Sequence, residues 1–591
     1  MRRFIVFALL PLLAACSPST DETAEPRDPP RLSYAMSLDT STETPALIID
    51  MTFPGDSDGN TYLALPNEWG GESELYNELS AFTALSPDTE ILPTDNPSVM
   101  EVTAPAGAEV HIRYRLAQDW EGVPEPSGGN PYRVVVQPDY AHLIGWAAWA
   151  LPQWDDWPGE NPEVAFHLDW SGLPTDWEIA DNFGIGRDVR EAVAPLNRLQ
   201  SGMFVAGDFR ILTRDTGTAQ LYVAIRGQWE FGDNTLANLM RDVVDPIRAF
   251  WREEGTEPFL VTLIPLHRAE GNDESISWGG TGLTDSFALF ATTNVSLADF
   301  QTLAAHEFQH RWTPSKLGEF ADPEEALYWF SEGFTDYYAS LLSLRSGLID
   351  LPGYADQVNE ALQNYYRSPA REAPVDQVIE WFWSDRDLQR LPYLRGRFIA
   401  ARWNAEIMVA SDGAENLDNV LFDMLAAAEA LNALGETREL RPGDVVEAAL
   451  HRSASTAEED YQQFVVGGAM VPMEPGMFGP CFDLRDTVFH LWDIGFDTQA
   501  SFDARVVTGV REGGPAWEAG MRDGMPFGGW SIPDYGNPET DATFYVGIDG
   551  EAVPITYKPQ GEAVETIPQL TLPEDLSDED RDACLAWLGA N

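Results

Sequence analysis

The chain is 591 residues long, with 36 basic residues against 96 acidic ones and a formal net charge of −60. That length holds several domains and a sizeable core, and 44% hydrophobic residues with 20 tryptophans exclude a disordered chain. The acidity repels phosphate backbones, which argues against nucleic acid as a partner, and it reads as a solvated coat rather than a binding surface.

The chain opens MRRFIVFALLPLLAACSPST: two arginines, an apolar run and small residues before Cys16. This is the order of an export signal, and the run falls short of the roughly twenty residues of a membrane-spanning helix. LAAC resembles the bacterial lipobox, which implies cleavage before Cys16, a lipid on that residue, and an anchor facing the periplasm. Because Ser17 is not an aspartate, the resemblance points to the outer membrane. A plain secretory signal with a chance cysteine is the alternative. No other stretch is long and apolar enough to cross a membrane.

Residues 17–31 are polar and proline-rich and predict a tether. From 32 to 224, alternating runs such as ALIIDMTF, EVHIRYRL and YRVVVQ, broken by Gly, Pro and Asp, predict an antiparallel β domain. The segment LPQWDDWPGENPE turns a corner inside it. The period then changes: a helical pattern from Asn234, the strand FLVTLIPL, the strand SFALFATTN, and helical patterns from Ser296 to Arg452. A linker is expected at 471–480, and short strands with glycine turns return after it.

NVSLADFQTLAAHEFQH predicts a helix starting at Leu297, with Ser296 and Asp299 as a capping box and Leu297, Phe300, Leu303 and Ala304 as an apolar stripe. His306 and His310 then lie one turn apart on one face with Glu307 beside them, the HExxH arrangement in which two imidazoles hold a zinc ion. A third ligand is required. Glu332, in WFSEGFTDYY, lies on a second expected helix capped by Asp322, with Pro323 in its first turn and Gly347 at its end. A helical hairpin brings Glu332 back over the histidines, as in gluzincin metallopeptidases. Asp336, one turn on, either accepts the second ring N–H of a ligand histidine or is a solvated surface acid.

HEFQH-R-W followed by WFSEGFTDYY resembles the glycyl aminopeptidase family of zinc metallopeptidases, and LPYLRGRFIAARWNAEI resembles that family's Y-x-x-G helix. The resemblance implies one Zn²⁺ per chain and peptide or protein substrates. It also implies Glu307 activating a zinc-bound water and Tyr393 stabilising the developing oxyanion. Where relatives carry G-G-L-E-H, this chain has WGGTGLTDSFALF: Gly279 and Gly280 remain, and Asp285 is the nearest acid to receive a substrate amine, or else a plain loop aspartate. Trp312, Trp329, Phe330, Phe334 and Tyr338 read as packing around the helices.

Cys481 and Cys584 are, in an exported protein, either a disulfide or two separate buried thiols. HLWDIGFDTQ…REGGPAWEAGM follows the order of a PDZ domain. The expectation is a multidomain α+β protein: signal 1–16, tether 17–31, N-terminal antiparallel β domain 32–224, thermolysin-like catalytic domain 225–470 that is mainly helical after the zinc helix, linker 471–480, and PDZ-like β module 481–591. The expected activity is a zinc peptidase, aminopeptidase-like or peptide-trimming, in the cell envelope, touching the membrane only through its N-terminal lipid. The alternatives are a non-catalytic PDZ-bearing scaffold and a gluzincin hydrolase of a non-peptide substrate.

Overall fold

The computed structural model describes residues 28–590 apart from 43, 127–129, 158, 160, 218, 254, 256, 268–275, 533–535 and 549–550. Cys16, the signal and residues 17–27 of the tether lie outside the described residues. Among those described, no helix is long and apolar enough to cross a membrane.

The N-terminal part is built on a six-stranded sheet with the spatial order 190–195, 163–172, 31–39, 46–54, 109–116, 79–84. Alternation drives it: Leu32, Tyr34 and Met36, then Leu47, Ile49, Met51 and Phe53, then Val110, Ile112, Tyr114 and Leu116 all point into one core. One face is thereby buried and the other wetted, as the period-2 pattern requires. The sheet is not wholly antiparallel, because Arg31–Asp39 pairs parallel with Glu163–Gly172.

The boundary expected at 224 does not follow the hydrogen bonding. Arg210–Asp215 and Gln220–Ile225 belong to a second, five-stranded sheet with Phe259–Pro265, Ser286–Ala291 and, at the edge, Trp278–Leu283. Phe259–Pro265 and Ser286–Ala291 are apolar almost throughout because both faces of this sheet are covered. Helices Asp233–Phe250 and Leu297–Gln309 share one core with it, while Ala224, Leu260, Ile264, Ala288 and Phe290 meet the N-terminal part through a second core with Tyr140, Met203 and Val205.

A helical layer follows, with Tyr328–Arg345, Leu351–Arg367 and Arg386–Ala410 at its centre. The helix expected from Asp322 differs in its start: Pro323 is extended, residues 324–327 form a 3₁₀ turn, and the α-helix begins at Tyr328. Gly347 takes a left-handed conformation just past its end. Trp312, Trp329, Phe330, Phe334 and Tyr338 are all buried in this core.

The C-terminal region divides between two cores. A two-stranded ribbon, Asp483–Trp492 with Gln560–Thr571, lies on Leu351–Arg367, where the Asn359 side-chain amide exchanges two hydrogen bonds with the backbone of Leu570. The last helix, Asp578–Trp587, puts Cys584 into the main core, joined there by Leu588 just past its end, and Cys481 and Cys584 are joined as a disulfide. Residues Ile494, Val507, Ala516, Met521, Phe527 and Phe544, between the ribbon strands, close a small core of their own with a three-stranded sheet.

Candidate metal centre

The histidine helix, Leu297–Gln309, is held from behind by Phe300, Ala304 and Phe308, so its opposite face is fixed towards the cleft. His310 is the first residue past the helix, in a turn where its N–H reaches the Glu307 carbonyl at 3.2 Å. The turn keeps it about one helical turn from His306. The two Nε2 atoms are 3.0 Å apart, and Glu332 Oε2 lies 3.3 Å from each. These three residues alone, among those described, bring metal-ligating atoms together in this way. Two imidazole nitrogens and one carboxylate with space in front are the donor set of a catalytic zinc site, so the residues fit the ion.

Both imidazoles are oriented from outside. Asp336 Oδ1 is 2.8 Å from His306 Nδ1, and the Thr313 carbonyl is 2.8 Å from His310 Nδ1. Each Nδ1 therefore donates away from the cleft and each Nε2 is left to ligate. Burial alone would favour the uncharged carboxyl of Glu332, yet the facing histidines hold it well below the usual carboxylate range. Ser331 Oγ donates to its other oxygen at 3.1 Å.

Tyr393, on the helix Arg386–Ala410, stacks its ring on that of His306 with centroids 5.7 Å apart and planes 19° from parallel. Burial, and then the charges of Glu332, Glu307 and Asp336, push its phenol well above the ordinary value. The hydroxyl thus stays protonated and can donate a hydrogen bond at any ordinary pH. Glu307 borders the same cleft, a cavity of about 870 Å³.

Another wall is the glycine strand Trp278–Leu283, whose outer edge pairs with no other strand among the described residues. Its glycines are required by proximity. A Cβ on Gly280 would lie 2.8 Å from the Ala288 carbonyl, and one on Gly282 would lie 3.0 Å from the Glu307 carbonyl and 3.6 Å from Glu307 Oε2. Gly279 stands further back, against Phe290 and Tyr132.

Asp285 is not at the cleft. It is buried behind the histidine helix, where its carboxylate pairs with Arg311 and, at 3.4 Å, with Arg198. Arg311 also binds Glu253 at 2.7 Å, so the aspartate is part of a buried ion network bracing the residue after His310. Among the cleft residues not singled out from the sequence are Trp69, Tyr132, Glu319, Glu324 and Trp383. The Tyr132 hydroxyl donates to the Gly280 carbonyl at 3.2 Å. Trp69 and Tyr132 come from the N-terminal part, some two hundred residues away in sequence, and no local pattern marks them.

Residues 299–380 match the family model of M61 glycyl aminopeptidase. The fold is similar to that of an aminopeptidase N family protein from Idiomarina loihiensis, with 16% identity and a TM-score of 0.61 over 94% of this chain and 100% of that chain. An M1 zinc metallopeptidase from Deinococcus radiodurans aligns with 76% of this chain and 97% of its own, at 16% identity and a TM-score of 0.46. No curated protein matches the sequence.

Proposed function

We propose that the chain is a zinc metallopeptidase of the gluzincin type that trims peptides from their amino ends at the cell envelope. The observation that carries this reading is that Glu307 and Tyr393 line one cleft with the His306, His310 and Glu332 cradle, beside a strand edge that pairs with no other strand among the described residues.

A zinc ion held by those three residues would polarise a peptide carbonyl and lower the pKa of a water towards about 7. Glu307 is the base that takes the proton from that water and passes it to the departing amine. Tyr393 donates its hydroxyl to the carbonyl oxygen as negative charge builds there. Asp336 and the Thr313 carbonyl hold the two imidazoles still throughout. The backbone of Gly280–Gly282 offers the peptide a strand to pair with. Glu319 and Glu324 line the same cleft and are the carboxylates we assign to the substrate amine in place of Asp285.

Anchorage through Cys16, at the periplasmic face of the outer membrane, belongs to this proposal, as does a peptide-binding role for the PDZ-like unit around Ile494–Tyr557.

The test is cleavage of a mixed peptide library by the protein from Arg31 onward, followed by mass spectrometry with metal content measured in parallel. Glu307→Gln should keep its zinc and lose about 10²–10⁴-fold in rate, whereas His310→Ala should lose both. Equal zinc loss in the two variants would mean the roles are misassigned.

A further inference from the structure

Behind the ring of Tyr393 lies a second cavity, of about 410 Å³, which shares His306, Glu307, Gln389 and Tyr393 with the zinc cleft. Arg397 lines it, although only 9% of that residue is exposed. Its guanidinium donates to Ser340 Oγ at 2.6 Å, and among the described residues it forms no ion pair. Arg390, two turns earlier on the same helix, lines the same cavity nearer solvent and also forms no ion pair among the described residues. The carboxylates that share the cavity are Glu307 and Asp336, committed to the metal centre, and Glu360, exposed at the rim.

A buried guanidinium without a counter-charge is costly, and its planar fork suits a carboxylate. In a chain with 36 basic residues against 96 acidic ones, two arginines beside the candidate metal centre with no carboxylate partner among the described residues call for an anionic occupant.

The glycine strand gives the direction. Trp278, its first residue, lines the second cavity, whereas Gly280, Thr281 and Gly282 line the first. A peptide added antiparallel to this strand has its amino end in the first cavity and its carboxyl end in the second. Charge agrees, since Glu319 and Glu324 border the first cavity and the arginines border the second.

Resting on the peptidase reading, we propose that the second cavity receives the residue after the scissile bond. There Arg397, with Arg390 nearer solvent, selects for a carboxylate, either an acidic side chain or the peptide's own terminus.

Paired peptides separate the two sources. Ala-Glu-Ala-amide against Ala-Gln-Ala-amide reads the side chain, and Ala-Ala against Ala-Ala-amide reads the terminus. Zinc-loaded wild-type protein should favour the carboxylate member of at least one pair by about 10-fold or more in kcat/KM. Arg397→Met should abolish that ratio while the neutral member is still cleaved. Arg390→Gln, a change on an exposed side chain, should lower the ratio and covers the case in which Arg397→Met fails to fold. A ratio of one in both pairs, or a ratio that the variants leave intact, overturns the inference while the peptidase reading stands. If wild type cleaves none of the peptides, the peptidase reading fails, and calorimetric binding of the same pairs to Glu307→Gln decides the cavity. Tighter binding of the carboxylate members, lost when Arg397→Met is added, upholds it; equal binding overturns it.

Discussion

Gly333 and Gly396 meet backbone to backbone where the helix carrying Glu332 crosses the helix carrying Tyr393. A Cβ on Gly396 would fall 1.7 Å from the Trp329 carbonyl oxygen, and one on Gly333 would fall 2.3 Å from the Gly396 Cα. The close crossing brings Glu332 and Tyr393 into the same cleft. Gly396→Ala should therefore push the helices apart, costing about 1–3 kcal/mol or more as overpacking and lowering zinc occupancy with it. Gly443, in the first turn of the helix Pro442–His451 with nothing within 4 Å of its would-be Cβ, is the control, and Gly443→Ala should leave zinc occupancy unchanged without lowering the unfolding temperature.

Tyr393→Phe keeps the ring on His306 and removes only the hydroxyl. The expected result is a fall of about 10²–10³-fold in kcat with zinc content and melting temperature retained. A kcat within a factor of two or so of wild type would leave the tyrosine a packing residue.

Asp336→Asn leaves a hydrogen-bonding group beside His306 but removes its charge. Competition against a chelator should show zinc affinity weakened by about 10–100-fold, and activity should return with added zinc. Unchanged affinity would mean that the Thr313 carbonyl on the other histidine suffices for both.

His142 supplies a pH dependence away from the centre. It is buried between the N-terminal part and the catalytic sheet, 3.3 Å from Thr262 Oγ1, and burial pulls its pKa down from 6.5 to about 3. Above pH 6.5 both folded and unfolded chains carry it neutral, and its contribution to stability is whole. As pH falls below 6.5 the unfolded chain takes up a proton that the folded one refuses until about pH 3, so stability drains across that window. His142→Phe should flatten the decline in denaturant midpoint between pH 7.5 and 4.5; a slope identical to wild type would disprove the assignment.

The clustering at the candidate metal centre was legible because a helix fixes its own geometry: residues four apart share a face, and a downstream acid in an aromatic helix can return over them. His306, His310, Glu332 and Asp336 stand where that reasoning puts them. For Asp285 the sequence left two roles open, a substrate-amine acid or a plain loop aspartate, because it shows an acid after two glycines and hides the partners, Arg198 and Arg311, that hold it in a buried ion network. The boundary at 224 failed for a related reason. Gln220–Ile225 is as apolar as any N-terminal strand, and only its parallel pairing with Phe259–Pro265 shows which sheet owns it. Tyr132 and Trp69 could not be found at all, since what makes them cleft residues is the docking of one domain on another.

The glycine strand also bears on how such an enzyme can change. A wall made of backbone cannot tell one residue type from another; it measures only that a chain is extended and correctly spaced. Discrimination then rests with the two cavities at its ends, whose side chains come from other elements. New preferences could evolve, or be engineered, by altering those side chains while the strand and the metal centre remain as they are. An inhibitor that imitates only an extended backbone would, by the same logic, be indifferent to every such change.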